Sequence, residues 1–183
     1  MTSSARLTFL ATGAAWATRS LLSFADVQYT EPVNALDWTA VWLYTAAWLL
    51  TAPAAVLLAS LAPGRTTTAL AAVIALGALT TGVANALEDG FGIKAFGSVY
   101  LVGFMSAWLG LLALAAAFLR ARQLRLGGLT ILLFLGILLF PLGGGVVTMA
   151  ALGALACAPQ WFLPARPTGH PIIAGDAAVS PTP

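Results

Sequence analysis

Apolar residues run along this chain in blocks of roughly 18 to 25, separated by short polar breaks and showing no strand-like alternation. Blocks of that length are what a helix needs to cross the hydrocarbon of a bilayer. The pattern predicts spans over 5–24, 35–61, 66–87, 96–119, 126–142 and 146–163. The expected fold class is an all-α integral membrane protein, a single six-transmembrane-helix bundle over residues 1–163. Residues 164–183, with five of the ten prolines among Ala, Gly, Ser and Thr, read as a disordered tail. Local signals punctuate the spans. Asn34 followed by Asp37 predicts an N-cap with a capping-box acid at the start of the second span. Pro53 should kink that span, and Pro63-Gly64-Arg65 turns the chain out of it. Asn85 to Lys94 reads as a loop, and Gly143-Gly144-Gly145 as a tight reversal. Met1 to Ala25 has the outline of a signal peptide, but Arg19 interrupts its apolar part, which favours a retained first span.

Composition agrees with this reading. The chain is 60% hydrophobic and 8% charged, with a mean hydropathy of +0.94, where soluble domains carry about 25% charged residues. Placement of the charges sets an orientation. If both termini are cytoplasmic, Arg6, Arg65, Arg120, Arg122, Arg125 and Arg166 fall inside, and Asp26, Glu31, Asp37, Glu88 and Asp89 fall outside. Lys94 is the basic residue left in an outer loop, and Arg19 lies within the first span. The expected location is a bacterial cytoplasmic (inner) membrane. The three inner-end arginines at 120, 122 and 125 read as topology signals that also touch anionic headgroups.

Several chemistries are excluded at this level. Cys157 is the sole cysteine and reads as a small packing residue; His170, the sole histidine, lies in the tail. No cofactor, no metal site and no nucleic-acid partner is expected. The only lysine, Lys94, sits in a loop, so no span offers a Schiff-base lysine for retinal. Asp89-Gly90 lacks the Ala-Arg and later aspartates of the membrane phosphotransferases. Gly143–Gly145 lacks the Lys-Ser/Thr of a phosphate-binding loop. Tryptophan-rich sensory membrane proteins share only the abundance of tryptophan, and the six tryptophans read as interfacial and lipid-facing anchors. No family's motifs stand in the sequence.

Helical spacing places the remaining polar groups on shared faces. On the third span Ala71, Ala75, Ala78, Gly82, Asn85 and Asp89 form a stripe of small or polar residues, with Leu70 and Ile74 opposite. Such stripes mark close helix packing in lipid. On the first span Thr8, Thr12, Ala15, Arg19, Ser23 and Asp26 form a second one. Arg19 lies roughly 20 Å into its span at 1.5 Å per residue, a depth at which a cation asks for an anion or a wet cavity. Asp89 is the expected partner, with Glu88, Asp37 and Asp26 as alternatives. Asp37, Tyr44 and Thr51 follow one another at sevens on the second span, and Tyr100, Gly103, Ala107 and Gly110 on the fourth.

The candidate site, for a ligand or for a structural ion pair, is therefore Arg19, Asp37, Tyr44, Asn85, Glu88, Asp89 and Tyr100, in the outer half of the bundle. The function expected from it is binding or carriage of a small or lipid-like ligand in an outward-facing cavity between helices, without catalysis. Two alternatives stand beside it. One is an accessory subunit of a larger membrane complex; the other is an enzyme using Glu88 or Asp89 as general acid/base on a lipid-like substrate. Expected partners are the lipid bilayer, a small-molecule or lipid ligand, and a membrane protein or second copy of the chain.

Overall fold

In the computed structural model, residues 1–25, 27 and 32–162 are described. The expected tail 164–183, together with Asp26, Glu31, Arg166 and His170, lies outside these residues. Six α-helices make up the described fold: α1 Ser3–Leu22, α2 Ala35–Ser60, α3 Arg65–Asn85, α4 Gly97–Arg120, α5 Leu124–Leu138 and α6 Gly144–Cys157. Among the described residues there is no strand. Three helical segments are long and apolar enough to cross a membrane, namely Ala35–Ser60, Arg65–Gly90 and Gly97–Arg120. Helices α5 and α6 are apolar but shorter, at 15 and 14 residues, and each is followed by a short 3-10 turn, Phe140–Leu142 and Pro159–Trp161.

Each helix packs against its neighbours in sequence, and α6 returns against α1, so the six close into a ring of antiparallel neighbours. Glycines set the closest seams. At Gly77 a Cβ would stand 2.6 Å from both Ala107 N and Gly103 O, so α3 and α4 meet backbone to backbone. Gly82 faces Leu49 and Thr45 of α2, and Gly110 faces Ile74. Helix α3 thus has two packing faces. The stripe through Gly82 and Asn85 meets α2, while Gly77, Ile74 and Thr81 meet α4. Ile74, expected on the opposite side, is fully buried because Gly110 leaves it a slot.

Three local expectations are resolved here. The capping box forms: the Asn34 side chain accepts from Leu36 N and Asp37 N, and Asp37 accepts from the Asn34 N–H. Helix α2 then runs through Pro53 to Ser60. Asn85 to Gly90 is not loop but helix, since Ala86–Gly90 continue α3 as a π-turn, and only the stretch from Phe91 to Phe96 links it to α4. Gly90 fits this turn against the Trp42 indole, where a Cβ would stand 3.0 Å from the ring, and Phe91 packs edge-on to Trp42.

The tryptophans divide. Trp38, Trp42 and Trp161 are exposed, but Trp16 and Trp48 are wholly buried, contrary to a lipid-facing role. They pack edge to face at 5.2 Å, and their rings continue through Tyr44, Phe140, Tyr100, Phe104, Trp108 and Phe134. Helices α1, α2, α4 and α5 are held together by this aromatic chain, because ring contacts, edge to face at Trp16–Trp48 and stacked at Trp108–Phe134, add to burial. Cys157 is exposed at the end of α6 and does not pack in the interior.

Charge separates along the bundle. One end gathers Arg6, Arg65, Arg120, Arg122 and Arg125 at helix termini and turns; the other gathers Asp37, Glu88, Asp89 and Lys94. Arg19, in the last turn of α1, is at the acidic end, where a cation also complements the helix C-terminus.

Candidate functional site

At the acidic end the ring leaves a half-open cavity of about 280 Å3, lined by Arg19 of α1, Val41 and Tyr44 of α2, Asn85 of α3, Glu88 and Asp89 of the π-turn, Tyr100 of α4, and Phe140. Six of the seven residues singled out in the sequence therefore share one space. Asp37 is the exception. Its side chain faces back onto its own helix start, accepting from Val33 N at 3.0 Å and Asn34 N at 3.2 Å, and is fully buried there. Val41 and Phe140 were not singled out. Val41 lies one turn beyond Asp37 and carries no polar signal. Phe140 reaches the cavity only because the chain reverses through Pro141 and Gly143, the latter with φ +93°.

The π-turn brings both carboxylates to the cavity. Adjacent residues of an α-helix diverge by about 100°, and a wider turn reduces that angle. Glu88 leans toward the start of α4, where a Cβ at Gly97 would lie 3.5 Å from its Oε1. A carboxylate there complements the positive end of the α4 dipole.

Arg19 is 4% exposed although it is charged. Its Nη1 donates to Ser23 Oγ at 2.8 Å, and its guanidinium carbon lies over the Tyr44 and Phe140 rings, 5.3 Å from each centroid. An arginine over desolvated ring faces gains cation–π attraction of about 2 kcal/mol. The expected Arg19–Asp89 ion pair is not among the contacts between described residues; the two side chains line the same cavity instead. Ring faces cover part of the Arg19 guanidinium, and Asp26, one of the alternative partners expected from the sequence, lies outside the described residues.

The rest of the wall is fixed by hydrogen bonds. The Tyr44 and Tyr100 hydroxyls share a 2.5 Å bond. Asn85, also 4% exposed, donates from Nδ2 to Thr45 Oγ1 at 2.9 Å, with Val41 O at 3.5 Å. Ser20 donates to Phe140 O at 2.5 Å and accepts from Gly145 N at 3.2 Å, tying the Phe140 reversal to α1. Thr45→Val keeps the shape but removes the acceptor of Asn85. It is expected to cost about 1 kcal/mol, the net worth of one hydrogen bond, measurable by unfolding in detergent, since the long contact to Val41 O remains.

The arrangement presents a cation and two carboxylates at separate points of one wall, with hydroxyls and ring faces between them. Such a lining can hold a small polar molecule by opposite charges at two places. Among the described residues no cluster of His, Cys, Asp and Glu has the make-up of a metal site. Comparison of the chain with family models, curated proteins and solved structures finds no match.

Proposed function

We propose that this chain is a six-span inner-membrane protein of a bacterium, with cytoplasmic termini, that binds a small polar or lipid-like ligand in the cavity at its outward, acidic end. The observation that carries this reading is the convergence of six elements on one charged cavity of about 280 Å3, near the lower end of small-molecule sites. A packing defect would be dry and apolar. This space instead has buried Arg19 and Asn85 in its wall and two carboxylates beside them. The ligand best matched to it carries an ammonium for Glu88 and Asp89 and an acidic group for Arg19.

The test is thermal stability of the purified protein in mild detergent against phosphoethanolamine, ethanolamine and a neutral sugar. Phosphoethanolamine is expected to raise the melting temperature most, ethanolamine less, and the sugar not at all. Glu88→Gln with Asp89→Asn should weaken the response to both amines at least tenfold, the loss of about 1.4 kcal/mol in binding. Equal responses to the sugar and to the amines would remove the proposal.

A further inference from the structure

We propose a second binding site, at the opposite end of the bundle, for the phosphate group of an anionic membrane lipid. It is independent of the cavity described above. Between the α2–α3 turn and the α4–α5 turn lies an open cavity of about 480 Å3, lined by Ala62, Gly64, Arg65, Thr67, Phe118, Arg120 and Gln123 among others. Topology alone explains why arginines lie at this end. It does not explain why two of them, from different turns, face one concavity. Arg122 does not line it, and Arg125 is engaged elsewhere, donating from Nη1 to Trp161 O at 2.6 Å.

Four features define the ligand. First, Arg65 and Arg120 form no ion pair among the described residues, and every described carboxylate belongs to the other end of the bundle. Second, Gln123 lines the same wall, and its side-chain amide N–H2 can donate to a phosphate oxygen. Third, the 21-residue helix α3 opens here at Gly64 with no side-chain cap, and its first-turn residues Arg65, Thr66 and Thr67 line the cavity. Fourth, Ala62, Pro63, Ala117 and Phe118 make part of the wall apolar. Guanidinium groups pair with phosphate oxygens in a planar, two-bond geometry, and a helix N-terminus adds donors for the same anion. The apolar wall suits the glycerol and acyl start of a lipid better than a hydrated free ion, which commits the site to a headgroup.

Thermal stability in detergent distinguishes the sources. Phosphatidylglycerol is expected to raise the melting temperature of the full chain, with phosphatidylcholine and inorganic phosphate giving little. Arg65→Gln with Arg120→Gln should raise the phosphatidylglycerol concentration for half-response at least tenfold, while Arg122→Gln leaves it unchanged. Arg120→Lys, which keeps the charge but not the planar fork, should fall between them and serves if the double variant fails to fold. An unchanged response in the double variant, or an equal loss in Arg122→Gln, overturns the site. A response to inorganic phosphate equal to that of the lipid overturns the lipid assignment.

Discussion

Gly145→Val is expected to prevent the ring from closing, with the protein lost from the monodisperse peak in mild detergent. A Cβ at Gly145 would collide with the Trp16 carbonyl oxygen and stand 2.6 Å from both Trp16 C and Ser20 Cβ. Two of those three atoms are backbone, so no rotamer change relieves the overlap. The α1–α6 seam must separate or the variant must not fold. Overpacking in a close-packed interior costs about 1–3 kcal/mol where side chains can yield, and more where they cannot. The same seam carries the Gly145 N–H to Ser20 bond and, through Ser20, the Phe140 carbonyl. Loss of the seam therefore also removes one wall of the acidic-end cavity. Gly153 of the same helix is the control. A Cβ there meets nothing within 4 Å, so Gly153→Val should stay within about 0.5 kcal/mol of the parent. Equal melting temperatures for the two variants would falsify the assigned seam.

Trp16→Ala is expected to destabilise by about 3–5 kcal/mol, the range for emptying a fully buried aromatic site. Trp16 touches Trp48, Tyr44 and Phe140, with ring centroids at 5.2, 5.9 and 6.1 Å, and its Nε1 donates to Thr51 Oγ1 at 3.0 Å. Two of those three rings are the ones beneath the Arg19 guanidinium. The truncation should therefore weaken ligand binding in the acidic-end cavity as well as stability, although Trp16 does not itself line that cavity. Trp16→Phe restores most of the ring contact but not the donor, and should cost about 1–2 kcal/mol. Denaturant titration in detergent measures both, and a loss below about 1 kcal/mol for Trp16→Ala would contradict the packing described.

The helical class, the capping box at Asn34 and the separation of basic from acidic helix ends were legible in the sequence because each depends on local order. Apolar block length requires helix, Asn34 reaches its own helix N–H groups, and charges stay at helix ends whatever the packing. Most of the candidate cavity was legible too. A polar residue on a helix face otherwise small or apolar is conspicuous, and Arg19, Tyr44, Asn85, Glu88, Asp89 and Tyr100 were found that way. The same criterion also selected Asp37, which does not line that cavity and whose carboxylate accepts from the N–H groups at its own helix start.

The sequence by itself determined which segments are helical, where each begins, and which few polar residues needed a place. Tertiary structure decided who their neighbours are. That Arg19 lies over the Tyr44 and Phe140 rings depends on α6 closing onto α1 and on the reversal through Pro141 and Gly143. That Trp16 and Trp48 are interior depends on which face of α1 meets α2. The π-turn that brings Glu88 beside Asp89 fits against Trp42, a residue of another helix. The stripes marked Gly82 and Gly110 as small positions on a face but did not say which helix each would meet, Gly77 and Gly145 stood in no stripe, and the absence of a side chain at these four glycines selects the contacts. That selection is a matter of steric fit between distant segments, and no periodicity within one helix encodes it.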